Sequence, residues 1–119
     1  MPEPAERHVL LVEDEYFIAD EMRRAFEDGG AEVLGPVGRV DEALALIGRT
    51  GRIDGAVLDV NLHDETVYAV ADALRERGVP FVFATGYEPA SIPARFADVR
   101  RCEKPVEPRR IIEALFRRG

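Results

Sequence analysis

The sequence predicts an α/β fold, a doubly wound five-stranded parallel sheet with helices on both faces. Three observations predict it. Strand-like and helix-like segments alternate five times along the chain, as expected when each strand is followed by a crossover helix. The strand-like segments are short, near-continuous apolar runs, the pattern of parallel strands covered on both faces. Two of these runs end abruptly in acid: His8-Val-Leu-Leu-Val12 meets Glu13-Asp14, and Ile53-Asp-Gly-Ala-Val-Leu58 meets Asp59. Open α/β sheets bind ligands beyond the carboxyl ends of their strands. Right-handed crossovers make 2-1-3-4-5 the most economical strand order, with strands one and three side by side at the switch point.

The first strand is expected over residues 8–13. Ile18, Met22 and Phe26 follow at helical spacing, and Gly29-Gly30 stops that helix where a left-handed residue can end it. Strand two spans 31–37, and Val40, Ala43, Leu44 and Ile47 form the apolar stripe of the second helix. Strand three, 54–59, leads to Val67, Val70, Ala71 and Leu74 on a helix closed by Gly78. Strand four covers 80–85. The next crossover breaks the pattern, because Pro89 and Pro93 fall where a helix belongs and an interior proline removes a hydrogen bond and clashes with the preceding turn. That helix, from Tyr87 to Phe96, is expected to be short, late-starting or mobile. Strand five, 98–103, and a last helix carrying Ile111, Ile112, Leu115 and Phe116 complete the domain.

The 119 residues suit one domain, 1–119, with 1–6 a flexible N-terminus. An apolar fraction of 46% beside 33% charged residues describes an ordinary globular protein, and a net charge of −7 argues against a nucleic-acid surface. No run reaches membrane-spanning length and Met1 to Arg7 lacks signal-peptide order, so a cytoplasmic location is expected. Cys102 is the only cysteine, which excludes an intramolecular disulfide and a thiolate metal site; it reads as a packing residue. His63 follows Asp59 by four residues but lacks a second His or Cys nearby and reads as solvated rather than ligating, and neither His8 nor His63 sits where a phosphoryl-carrying histidine is expected. No phosphate-cradling glycine loop follows the first strand, so a bound nucleotide is not expected.

If the strands are parallel, Glu13, Asp14, Asp59, Thr85 and Lys104 all fall at carboxyl ends and can converge. Clustered carboxylates repel one another and call for a hard divalent cation, Mg²⁺ or alternatively Mn²⁺. Each residue type then has a task in phosphoryl transfer. Asp59 is a carboxylate nucleophile able to form an acyl phosphate. Glu13 and Asp14 hold the ion, Thr85 donates a hydroxyl hydrogen bond to one phosphoryl oxygen, and Lys104 brings a point charge to another. Singly, each has a plain alternative such as a helix cap or a turn residue; five in this order make coincidence improbable.

Val12-Glu-Asp-Glu15, Val57-Leu-Asp-Val-Asn61, Phe83-Ala-Thr85 and Lys104-Pro105 resemble the receiver domain of bacterial two-component response regulators, over essentially the whole chain. That resemblance implies a flavodoxin-like fold with Asp59 phosphorylated by a histidine kinase. It makes Asp14 the direct metal ligand, Glu13 its partner acting through water, and Asn61 a ligand through its backbone carbonyl. It also implies a cis peptide before Pro105. Asn61 and Tyr87 match positions that tune dephosphorylation. More narrowly, Pro80-Phe-Val-Phe-Ala-Thr-Gly-Tyr87 resembles a receiver subgroup, often stand-alone, named for its Phe-Ala-Thr-Gly-aromatic sequence. Its members tend to act with HWE-type histidine kinases, some in general stress signalling.

One position departs from the family pattern. Receivers mostly carry Tyr or Phe three residues before the lysine, and here that residue is Arg101. An arginine does not bury itself as an aromatic ring does without a charged partner. The expected switch is therefore an ordering of the segment from Tyr87 to Phe96 on phosphorylation, with the fourth-helix region, last strand and last helix as the contact face that the resemblance implies. Two other functions compete. A haloacid-dehalogenase-type phosphohydrolase also uses a strand-end Asp, but its acid pair comes last and a second acid follows the nucleophile by two residues, where this chain has Asn61. A phosphorylation-independent interaction module conflicts with the intact Asp59, Thr85 and Lys104. No output-domain sequence follows within the chain, so output through protein binding or phosphate traffic is expected. A receiver cut from a longer regulator stays open, because Arg117-Arg118-Gly119 is where a linker could begin.

Overall fold

The computed structural model describes residues 7–62, 65–85, 92–104 and 107–116. The expected positions His63, Tyr87, Pro89 and Pro105, with the end of the chain at Arg117-Arg118-Gly119, lie outside them, as do residues 1–6.

The elements follow in the order β1 (His8–Val12), α1 (Tyr16–Asp28), β2 (Glu32–Val37), α2 (Val40–Arg49), β3 (Gly55–Asp59), β4 (Asn61–Leu62), β5 (Glu65–Thr66), α3 (Tyr68–Glu76), β6 (Phe81–Thr85), a 3-10 turn (Ala94–Phe96), β7 (Arg101–Glu103) and α4 (Pro108–Phe116). The main sheet is parallel with order β2-β1-β3-β6-β7, which is the predicted order once the short hairpin β4-β5 is set aside. Alternation along the strands sends neighbouring side chains to opposite faces. Leu10, Val12, Leu58 and Phe83 pack with Ala43, Ile47, Val70 and Leu74 of α2 and α3. Val9, Leu11, Val57 and Val82 pack with Met22 and Phe26 of α1 and Ile111 of α4. Both faces are thereby covered, and β1 and β3 run through the middle fully buried apart from half-buried His8.

The helix ends are as predicted: α1 and α3 are followed by Gly30 and Gly78 at φ 94° and 71°. Three details differ from expectation. Leu44 is exposed rather than in the core, because α2 turns Ala43 and Ile47 inward and Leu44 lies about 100° round from Ala43. The last strand begins at Arg101 rather than 98, since Ala97 and Val99 donate backbone hydrogen bonds back to Ala94 and Phe96 and prolong the turn. Antiparallel β4-β5 follows β3 directly, pairing Asn61 with Thr66 and Leu62 with Glu65. In the interrupted crossover, the described residues carry only the 3-10 turn at Ala94–Phe96.

One irregularity bears on the site. The β1–β2 register slips between Leu10↔Leu34 and Val12↔Val37, a bulge containing Gly35 at φ 96° and Pro36. A Cβ on Gly35 would stand 2.8 Å from the Val37 nitrogen and 2.9 Å from the Leu11 carbonyl oxygen, so only glycine fits. The bulge brings the Val37 carbonyl to the Glu13 N–H, 2.9 Å away.

Candidate phosphoryl-accepting site

Glu13 leaves the end of β1 and Asp59 ends β3, on adjacent strands held in register from Val9↔Gly55 to Val12↔Leu58. Carboxylate oxygens of Glu13, Asp14 and Asp59 all lie within 4.8 Å of one another. Glu13 and Asp59 are buried and Asp14 half-buried. From the next two strands come buried Thr85 at the end of β6 and half-buried Lys104 just past β7. The Lys104 N–H donates to the Thr85 carbonyl at 2.8 Å, which fixes the root of the lysine beside the threonine. Its ammonium then reaches across, 2.9 Å from Asp59 Oδ2 and 3.0 Å from Glu13 Oε1. The five residues singled out from the sequence thus gather at one edge of the sheet.

The electrostatics follow from the geometry. Burial, then repulsion from Asp59, pushes the Glu13 carboxyl up to about 7, despite opposing hydrogen bonds from Lys104 and from the Glu15 N–H, 3.1 Å from Oε2. Burial acts to lower the Lys104 ammonium, but its contacts with Asp59 and Glu13 outweigh this and leave it above its ordinary value. Lys104 is therefore an internal counter-ion between two acids that could not otherwise both ionise cheaply. Three carboxylates with oxygens within 4.8 Å of one another form an all-oxygen donor set that suits a hard divalent ion such as Mg²⁺.

Asn61 is exposed, and its N–H donates to Asp59 Oδ1 at 3.3 Å, turn chemistry that orients the Asp59 carboxylate. Arg101 sits exposed on β7 opposite Phe83, in keeping with an arginine that stays out of the core. An aromatic cluster lies against the same part of the sheet: Tyr68 stacks on Phe96 at 5.7 Å and meets Phe83 edge-on at 6.1 Å. Burial raises the Tyr68 phenol, and the Arg101 charge partly offsets it. Sequence reasoning passed over Tyr68; its position opening α3 after an apolar residue was the available signal. Cys102 is half-buried, with burial pushing its thiol up, as a packing residue requires. No described helix is long and apolar enough to cross a membrane.

A parallel sheet of this order with an acid cluster at its carboxyl edge is the receiver architecture, and comparison with solved structures identifies the family. The chain is similar to the solution structure of SdrG from Sphingomonas melonis Fr1, with 39% identity and a TM-score of 0.81, covering 93% of this chain and 97% of that one. The BeF3-activated conformation of SdrG from Pseudomonas melonis Fr1 matches at 38% identity and TM-score 0.73, over 97% and 96% of the two chains. A CheY-like response regulator receiver domain protein from Methanospirillum hungatei JF-1 matches at 28% identity and TM-score 0.76, over 90% and 88%. No protein-family model and no curated protein matches. The chain belongs to the response regulator receiver domains of two-component signalling.

Proposed function

We propose that this receiver accepts a phosphoryl group on Asp59 from a histidine kinase, with Mg²⁺ at Glu13, Asp14, Asp59 and the Asn61 carbonyl, and that the phosphorylated form changes its protein contacts. The observation that carries this reading is the Lys104 ammonium placed within 3.0 Å of both the nucleophile and the neighbouring acid. When bound, the ion supplies charge neutralisation at the phosphoryl oxygens. The chain's residues do the rest. Asp59 attacks phosphorus with a carboxylate oxygen while the bond from phosphorus to the donor nitrogen breaks, its electron pair staying on the imidazole, which takes up a proton. Lys104 exchanges its hold on the two acids for a phosphoryl oxygen, and Thr85 donates its hydroxyl to another. Asn61, with Tyr87 of the adjoining segment, sets how readily water reaches the acyl phosphate.

An HWE-type kinase is the donor that the Phe-Ala-Thr-Gly-Tyr motif favours, and the BeF3-activated form of SdrG supports beryllofluoride as the phosphoryl mimic to use. The output is a switch of protein–protein contact in the cytoplasm, in stress signalling or as a phosphate shuttle. Asn61 two residues beyond Asp59 offers no leaving-group acid, which disfavours the phosphohydrolase reading. The test is phosphotransfer from acetyl phosphate and from candidate kinases, with and without Mg²⁺, against Asp59→Ala. Mg²⁺-dependent label that vanishes in the variant is expected, and label that persists in Asp59→Ala would overturn the assignment.

A further inference from the structure

The hairpin that follows Asp59 is held at both ends. Its inner side is fixed by the core: Val60, Leu62 and Val67 are fully buried, and the Val67 N–H donates to the Val60 carbonyl at 3.2 Å. Its outer side, Glu65 and Thr66, is exposed. Glu65 nevertheless reaches the start of α2, where its Oε2 accepts the backbone N–H of Val40 at 3.0 Å. Val40 opens α2, and the residue before it, Arg39, supplies no side-chain cap. A carboxylate from 25 residues away thus performs the capping that a local Ser, Asp or Asn ordinarily does. The Arg39 guanidinium bonds Asp41 at 3.1 Å and adds only a weak long-range attraction to the Glu65 carboxylate.

What this contact joins gives it meaning. Glu65 pairs with Leu62 in the hairpin, one residue from Asn61 and three from Asp59. On the other side, Val40 is two residues from Gly38, which packs directly on Asp14: a Cβ there would stand 3.1 Å from the Asp14 Cα. Val37, one residue earlier, accepts the Glu13 N–H. The contact therefore ties the loop carrying Asp59 and Asn61 to the loop that backs Glu13 and Asp14. We propose that Glu65 is a positioning residue for the phosphoryl-accepting site, a clasp that sets the spacing between the acid pair of β1 and the ligand arm after β3 by anchoring the hairpin to the first turn of α2.

This inference rests on the metal-assisted reading above, and one set of titrations separates the two. Mg²⁺ affinity is measured by calorimetry on the full chain for wild type, Glu65→Ala and Glu65→Gln, alongside Val40 amide exchange and the melting temperature without metal. Glu65→Ala is expected to free the Val40 amide and weaken Mg²⁺ binding by about threefold or more, less than the roughly 10–100-fold effect of groups bonded directly to a metal ligand, with melting within about 5 °C of wild type. Glu65→Gln, which keeps an acceptor oxygen, is expected to recover at least half of that loss on a logarithmic scale. A change of less than threefold in Glu65→Ala overturns the clasp, whatever the melting temperature does. Should Glu65→Ala fail to fold, Glu65→Asp, with the charge kept and the reach shortened, meets the same threefold criterion. A wild-type chain that binds no Mg²⁺ would instead overturn the metal-assisted reading itself.

Discussion

The two flanks of Asp59 are built differently. On one side β1 and β3 share a long register through fully buried residues, and the glycine bulge of β2 fastens Glu13 from behind. On the other side β6 leads to a last strand of three residues, exposed at both ends. Behind that strand lie aromatic rings and surface cations: Arg75 and Arg95 stand 5.3 and 4.6 Å over the Phe96 ring, and each pairs with an acid, Asp98 and Asp72. Under the proposed function the ion ligands need fixed spacing, which the first flank would supply. Residues that sense a phosphoryl group would need to shift, and a thin edge strand with solvent-screened ion pairs resists little.

Perturbing each flank separately tests this contrast. Phe96→Ala removes a fully buried ring from the second flank and should cost about 3–5 kcal/mol in denaturant unfolding. Mg²⁺ affinity should stay within about twofold, and a parallel loss of ion binding would show that the flanks are one mechanical unit. Lys104→Ala crosses between them. Without its ammonium, Glu13 and Asp59 face each other unpaired, so the metal-free protein should lose about 3 kcal/mol at neutral pH, and saturating Mg²⁺ should restore part of it. Equal losses with and without Mg²⁺ would remove Lys104 from its role as counter-ion.

Glu13 gives a smaller, graded effect on the fixed flank. Its carboxyl is raised from 4.5 to about 7, so the folded chain holds the proton more tightly than the unfolded one. That contribution to metal-free stability is complete below about pH 4.5 and is lost as pH rises through 7. Mg²⁺ competes with the same proton, so its affinity should climb with pH by up to about tenfold per unit below 7 and then level off. Glu13→Gln should flatten that slope, and an unchanged slope would place the titration elsewhere. Least of all should Arg101→Tyr matter to folding. An exposed edge position predicts a change within about 0.5 kcal/mol, read from chemical unfolding, and a large stabilisation would mean that the new ring had found the core.

Most of the fold was legible because its signals are local. Apolar runs gave β1 and β3 almost residue for residue, and Gly30 and Gly78 end their helices as read. The five site residues were legible because each lies at the end of a strand or within two residues beyond it. What escaped depends on distance. The β4-β5 hairpin is too short for periodicity to register, and the Glu65 contact joins residues far apart in the chain. Leu44 has helical spacing but falls at the margin of the stripe. Lys104 was read as a phosphoryl ligand, and only its three-dimensional reach shows that it first serves the two acids.

The edges of the sheet bear on how the molecule behaves in concentrated solution. A parallel sheet left open on both sides invites other chains to add strands to it. Here β2 interrupts its outer edge with the Gly35-Pro36 bulge, where proline has no N–H to offer, and β7 is short and alternates Arg101 and Glu103 toward solvent. The arginine that looks misplaced as a switch residue is well placed as a guard against fibre-like growth. A tyrosine there would expose an aromatic at an unprotected border.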